Sequence, residues 1–372
     1  MLDIEPWTQE QRPVHLLSAI ESNRISATMA LEWAELIRRT SGGEADLLTL
    51  GILRDGQPVG IAILLELKQF RGYRYLWRPV SRMIDRSPLL RLCFPDLNIG
   101  FLEVPIANYS GLFTTDGLDA AERDLILRKI AEFTRQRLKW HFLCIKENSP
   151  YPPPGPEDPF DRLNFLPNAI LSIQHRRFED FLAALPSKKR RKLLADRQAL
   201  ARHGATLNLC RDPSGVSEEL FELYQSTNRR KQRQRNYIPM PFAIDRDFFD
   251  SLSAFEALDS KALLIRVEGR LIAYCLLLQG GGTLYFRSVG LDYHWSLKTR
   301  AYFNLIYATI ELAIQQGCER VDFGLTSYTF KKRMGCVLYP SRYRVAFHHP
   351  LLRALSRAFI FLLGRQFRSL EY

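Results

Sequence analysis

The sequence has no long apolar run. Runs such as Ile61–Leu65 and Ala358–Leu363 fall far short of the ~20 residues needed to cross a bilayer. The opening MLDIEPWTQEQRPVHLL has no basic segment leading into an apolar one, so it does not read as a secretory leader. Cysteine is sparse and scattered: the six, Cys93, Cys144, Cys210, Cys275, Cys318 and Cys336, form no CxxC and no paired His/Cys spacing. That argues against a zinc site and points to reduced thiols in a cytoplasm, most of them packed as small hydrophobes. His348-His349 lacks a further ligand at metal spacing, so no metal is assigned. No Ser-His-Asp or Cys-His arrangement stands out, which makes direct attack in a ternary complex the default over a covalent route.

What is present fits two soluble domains. The chain has 372 residues, 46% hydrophobic and 25% charged, enough for two ordinary cores. Its net charge of +12 is local. Lys188–Arg202 carries seven basic residues and one acid, and Arg229–Arg235 carries five basic residues and none. Without these segments 40 basic residues face 39 acidic ones. Charge concentrated in this way suits an anionic partner such as phosphate, a tRNA acceptor stem, an acidic carrier protein or a membrane surface; the alternative is a solvated helix face plus a mobile loop.

One unit occurs twice. Leu47–Leu53, a turn at Asp55-Gly56 and Pro58–Leu67 read as a hairpin; so do Ala262–Val267, Glu268-Gly269 and Leu271–Gln279. After the first come a strand near Ile99–Ile106, a helix near Ala120–Leu138 and a strand at Trp140–Ile145. After the second come Thr283–Val289, a helix near Thr299–Gly317 and a strand at Arg320–Phe323. Phe303, Ile306, Ile310 and Ala313 mark the apolar stripe of that second helix, which Gly317 closes. Hairpin, strand, crossover helix, strand is a mixed α/β layer with the helix joining parallel strands. Between the copies, Asn148–Pro159 holds six prolines in 12 positions and must be extended. The expected organisation is a domain over 1–147, a linker over 148–160, a second domain over 161–349 and a C-terminal segment over 350–372. In that last segment Arg353, Arg357, Arg365 and Arg368 oppose Leu351, Leu352, Leu355, Phe359, Leu362 and Leu363. Such a helix lies in a membrane interface, packs on its own domain, or meets a second subunit.

The stretch Val321–Gly335, VDFGLTSYTFKKRMG, resembles the strand-turn-helix signature of the BioF2-like and FemAB-like branch of the GNAT superfamily. The basic start at Ser187–Arg191 and Gly290-Leu291-Asp292-Tyr293 resemble that family in the same order, over about Phe178–Phe347. The N-terminal half is similar to a degenerate copy. The resemblance implies tandem GNAT folds, with mixed sheets flanked by helices, that pass an activated acyl or aminoacyl group to an amine. One departure is plain. Where the family's coenzyme A loop would open a helix, this chain has Gly290–Ala301, GLDYHWSLKTRA, with no second glycine for close approach to phosphate. An acyl carrier protein or an aminoacyl-tRNA therefore fits better than coenzyme A held in the ordinary way.

Transfer to an amine needs a neutral nucleophile, a stabilised oxyanion and a protonated leaving group. Lys331 matches the signature lysine that the resemblance places at the reaction centre; otherwise it pairs with phosphate or lies on the surface. Asp322 receives the amine proton or caps its own turn. Tyr328 donates to the leaving group or packs, and Ser327 is a weaker donor. Lys188, Lys189, Arg190 and Arg191 grip phosphate of donor or acceptor. Arg229 and Arg230 belong to a basic loop over the site. His294 and Trp295 line the donor channel or form an apolar wall. The expected function is N-acyl transfer from an acyl carrier protein or acyl-CoA thioester to an amine-bearing small molecule or peptide, with no tightly bound cofactor. The alternatives are an aminoacyl-tRNA-dependent, FemAB-like transferase and a non-catalytic nucleic-acid- or membrane-binding protein.

Overall fold

A computed structural model describes residues 2–8, 11–12, 16, 26–75, 78–94, 96–104, 108–115, 118–148, 159–233, 244–325, 327–350 and 352–354. The body of the proline-rich linker, 149–158, and all of the expected C-terminal segment except 350 and 352–354 lie outside these residues. No helix among the described residues is long and apolar enough to cross a membrane.

The chain divides into two compact units, and not at the boundaries the sequence suggests. One is built from Met1–Pro167 together with the chain from Tyr339 onward; the other takes Asn168–Gln234 and Asp245–Leu338. The reason lies in strand pairing, which sequence spacing does not fix.

In the first unit, Leu2–Pro6 (β1), Ala45–Arg54 (β2), Gln57–Phe70 (β3) and Leu97–Val104 (β4) pair antiparallel in sequence order. Tyr109–Ser110 (β5) and Leu112–Thr114 (β6) are short additions to β4 and β3. Helices Ala27–Thr40 (α1), Arg78–Arg86 (α2), Pro88–Leu92 (α3) and Ala120–Arg137 (α4) accompany them. Asp119 and Glu122 close a reciprocal capping box that starts α4. This crossover helix returns the chain to Phe142–Asn148 (β7), parallel to β4. The partner of β7 on its other side comes from the far end of the sequence: Val337–Phe347 (β14), antiparallel from Ser341↔Asn148 to Phe347↔Phe142. Arg342 and Arg344 of β14 bind Glu147 of β7 at 2.6 and 2.8 Å.

The second unit repeats the plan. Its helices are Phe178–Ala184 (α5), Ser187–Arg202 (α6), Ser217–Gln232 (α7), Arg246–Asp250 (α8), Tyr293–Thr299 (α9), Ala301–Gln315 (α10) and Tyr328–Arg333 (α11). Its strand order is Asp161–Ser172 (β8, which belongs to this unit from Asn168 on), Arg320–Asp322 (β13), Thr283–Leu291 (β12), Arg270–Gly280 (β11), Lys261–Val267 (β10) and Thr206–Cys210 (β9). As in the first unit, one adjacent pair among the described residues is parallel, β12 with β13, and a crossover helix (α10) joins them.

The duplication extends to fine detail. Both hairpin turns, Asp55-Gly56 and Glu268-Gly269, place both central residues at positive φ, the two-residue turn that matches strand twist. Both hairpins slip register three residues before the turn, at Ile52/Leu53 and at Ile265/Arg266. Where the parallel strands stop pairing, each unit buries an ionic cluster, with opposite polarity. The second unit has Arg287 on β12, Asp322 on β13 and Asn168 on β8. The first has Glu103 on β4, Lys146 on β7 and Tyr343 on β14, with the Tyr343 hydroxyl donating to Glu103 at 2.6 Å.

Lys146 is 1% exposed, and its ammonium sits 4.1 Å from the Phe165 ring centre and 4.3 Å from that of Tyr343. Its Nζ has no hydrogen-bond partner among the described residues. Burial pushes Lys146 down to about 8 and Glu103 upward, while each charge favours the other. Removing one partner leaves a buried charge uncompensated. Lys146→Met is expected to lower unfolding free energy by about 3 kcal/mol, and Lys146→Met/Glu103→Gln to recover most of it. Urea denaturation of the two variants checks this; additive losses would show that the pair does not interact.

Candidate active site

The site grows from the end of β13. Register Thr283↔Arg320, Leu284↔Val321 and Tyr285↔Asp322 closes the parallel pairing. Beyond it the chain turns through Phe323-Gly324-Leu325 into α11. Asp322 is fully buried and fixes this turn: its Oδ1 accepts the Gly324 N–H at 2.6 Å. The same carboxylate pairs with Arg287, itself 3% exposed, at 3.3 Å, and accepts from the Asn168 amide at 3.3 Å. Gly324 has φ +62, and a Cβ there would stand 3.2 Å from Arg287 Nη1. The D-F-G sequence is thus a buried carboxylate, a core aromatic and a residue without a side chain, each required by this turn.

Lys331 then locks the turn from α11. Its Nζ donates to the carbonyls of Phe323 at 2.7 Å, Gly324 at 3.3 Å and Leu325 at 2.8 Å. Three acceptors use all three ammonium protons and favour the charged form. Against this, burial pushes Lys331 down to about 7, with Arg287 and Lys231 pushing the same way and Asp322 opposing. Lys231, on the last turn of α7, keeps contact with solvent, yet desolvation lowers its pKa as well. The centre therefore carries Arg287, Lys231 and Lys331 against the single carboxylate of Asp322, and suits an electron-rich ligand.

Ser327 starts α11 in the left-handed region at φ 54 and is exposed; it shares a hydrogen bond with the Tyr302 hydroxyl. Burial pushes Tyr302 up to about 12, so its hydroxyl keeps its proton at neutral pH. Tyr328, one residue on, is 3% exposed within the apolar core.

The structure gathers Asp322, Ser327, Tyr328 and Lys331 on one turn and helix. Lys188, Lys189, Arg190 and Arg191 lie on the first turns of α6; Lys188 and Arg191 are exposed, and Arg190 donates to the Ala183 carbonyl. Lys192, on the next turn, lies 5.7 Å from the Phe303 ring, which packs 4.6 Å from Phe330 beside Lys331. Lys192 thus lies beside α10, whose Phe303 packs on Phe330 of α11. Arg229 and Arg230 are not in a loop: α7 continues to Gln232, and only 234–243 lie outside the described residues. Arg, Lys and Gln are good helix formers, and the apolar face of α7 carries them on. Arg230 stacks 4.0 Å from the Tyr293 ring. His294 and Trp295 sit on α9, where His294 meets Lys298 at 3.1 Å and Trp295 packs edge-on against His203. Sequence reasoning overlooked Arg287, Tyr302, Lys231 and Asn168. For Arg287 a signal existed: it is the one charge in the strand TLYFRSVGL.

The segment expected to hold a phosphate loop is helical. The Asp292 side chain takes the His294 N–H at 2.9 Å, and the Asp292 carbonyl takes that of Ser296 at 2.8 Å. Arg300, left-handed at φ 54, separates α9 from α10. The helix anticipated near Thr299–Gly317 is α10, Ala301–Gln315, and α9 is a further short helix that precedes it.

Comparison with solved structures agrees with this architecture. FemX matches with a TM-score of 0.59 at 12% identity, over 95% of this chain and 99% of FemX. L-PGS from Bacillus licheniformis matches with a TM-score of 0.54 at 11% identity, over 95% of each chain. A tandem GNAT protein from the clavulanic acid biosynthesis pathway matches with a TM-score of 0.51 at 13% identity, over 94% of this chain and 99% of its own. No curated protein matches by sequence. The chain has the tandem GNAT fold, mixed sheets flanked by helices, which is the fold of acyl-group transferases. Residues 169–361, more than half of the sequence, match the FemAB-like family, described as peptidoglycan biosynthesis/recognition. The chain belongs to this family, and its chemistry is that of an acyl- or aminoacyltransferase.

Proposed function

We propose that this protein transfers an aminoacyl group from aminoacyl-tRNA to an amine, most simply on a peptidoglycan precursor or a related small acceptor. The observation that carries the choice of donor is the α9 segment. Its first-turn backbone N–H at His294 is taken by the Asp292 side chain, where a coenzyme A pyrophosphate would need it free. The anionic binding capacity sits instead on side chains of α6 and α7, spread over a length that suits a polyphosphate backbone. The family's role in peptidoglycan biosynthesis favours the same donor over an acyl carrier protein.

In this reading the acceptor nitrogen attacks the ester carbonyl carbon at the 3′ end of the tRNA. The C–N bond forms, the ester C–O bond breaks, and the proton lost by nitrogen ends on the departing ribose oxygen. Lys331 positions the 323–325 turn, and Lys231 offers positive charge to the developing oxyanion. Ser327, sharing its hydroxyl with Tyr302, takes the proton-donor role first considered for Tyr328, which the core encloses. Asp322 positions rather than abstracts: its carboxylate is taken up by Arg287, the Asn168 amide and the Gly324 N–H.

Purified protein, an amine acceptor and a mixture of charged tRNAs with labelled amino acids test the reading. Product that disappears on ribonuclease treatment is expected. Product that survives ribonuclease and instead requires an acyl thioester would assign the donor to coenzyme A or a carrier protein.

A further inference from the structure

The insertion between β3 and β4 presents an apolar surface that the transferase reading does not use. Of the large hydrophobic side chains exposed among the described residues, four fall within 83–94: Met83 at 55%, Leu89 at 77%, Leu92 at 79% and Phe94 at 37%. Helix α3, PLLRL, buries none of its residues. Yet it is well formed: Pro88 occupies its first position and Ser87 accepts the Leu90 N–H at 3.3 Å. Leu89 and Leu92, three apart, share one face of this turn.

The segment is anchored from below. Tyr73 and Ile84 are 2% and 1% exposed, and Phe94 packs edge-on against Tyr73 at 6.0 Å. Its charges are one-sided. Asp85 accepts from the Tyr73 hydroxyl at 2.8 Å, and Asp96 pairs with Arg71 at 3.0 Å. Arg82, Arg86 and Arg91 are exposed, and among the described residues they have no such partner. A fixed tip of Leu, Met and Phe interleaved with unpaired arginines has the composition of an interfacial anchor. Four side chains offer less area than the ~800 Å² that each partner contributes to a stable protein complex. A bilayer needs no shaped complement, and its anionic headgroups match the three arginines.

We propose that the α2–α3 tip docks on the surface of an anionic phospholipid bilayer, with Met83, Leu89, Leu92 and Phe94 entering the interface and Arg82, Arg86 and Arg91 at the headgroups. Docking of this kind lies outside the transfer reaction, and its failure would leave that reading intact, because the assay measures partition and not turnover. The full chain is mixed with vesicles of phosphatidylcholine containing about one-third phosphatidylglycerol, and sedimented protein is measured against lipid concentration. Binding is expected to weaken at least tenfold on pure phosphatidylcholine and at high salt. Leu89→Glu/Leu92→Glu, exposed changes that leave thermal unfolding unaltered, are expected to weaken it at least tenfold. Arg82→Gln/Arg86→Gln/Arg91→Gln should remove most of the salt dependence. The proposal is overturned if the wild type does not sediment, or if the double Glu variant binds as the wild type does. It is also overturned if the leucines instead drive self-association that the double variant abolishes without any vesicle binding.

Discussion

Lys331→Met is expected to reduce turnover by about two orders of magnitude or more with tRNA binding largely retained. The three carbonyls at 323–325 would lose the cation that converges them. A shift of the order of 1 Å in a positioning element costs about a hundredfold in rate. The loss should fall on kcat more than on KM, since the basic α6 and α7 segments are untouched. The pH profile gives a second readout. The ammonium alone can donate to three carbonyls, so activity that depends on it falls as pH rises through the Lys331 pKa, which burial pushes down to about 7 and the three carbonyls oppose. Deprotonation of the acceptor ammonium to the neutral amine as pH rises gives the opposite limb, so a bell is expected. The residual activity of Lys331→Met should keep the acid limb and lose the alkaline one. Turnover equal to wild type in this variant would move the reaction centre away from α11. A wild type that binds charged tRNA and transfers nothing to any amine would return the protein to the non-catalytic reading.

Asp322→Ala is expected to be the most destabilising single change in the second unit. It removes the acceptor for the Gly324 N–H and leaves Arg287, 3% exposed at its side chain, without its carboxylate. Breaking a buried pair from one side costs about 3–5 kcal/mol, because the surviving charge stays desolvated. Asp322→Ala/Arg287→Met should recover part of that loss, and the remainder measures the turn bond. Urea midpoints for the single and double variants give both quantities. A single-variant loss under about 1 kcal/mol would mean that water reaches Arg287 and that the pair is not buried in solution.

Much of this site was legible from residue order. The D-F-G turn and Lys331 stood out because their spacing is local: eight residues separate Lys331 from the Phe323 carbonyl it binds. The hairpins were legible for the same reason, since an acid-Gly pair between apolar runs fixes a two-residue turn. Arg287 was hidden because its partner lies 35 residues away and sits opposite only after β13 is laid parallel to β12. Lys231 could not be ranked above Arg229 or Arg230 by composition; the phase of α7 decides which of the three points toward Lys331. The assumption that a dense basic run is a loop failed on helix propensity alone. The domain boundaries failed for a different reason. Nothing near 337–347 in sequence announces that this strand pairs with β7.

That strand exchange sets an order on synthesis. β7 is complete at Asn148, but β14 begins at Val337, nearly 190 residues later. At translation rates of about 5–20 residues per second, the ribosome takes roughly 10–40 s to deliver it. Throughout that interval the first unit exposes one bare strand edge to a crowded cell, and the unit that begins first is the last to close. Nascent chains stalled before residue 337 should therefore yield a protease-sensitive N-terminal half, however well the segment after it has already folded.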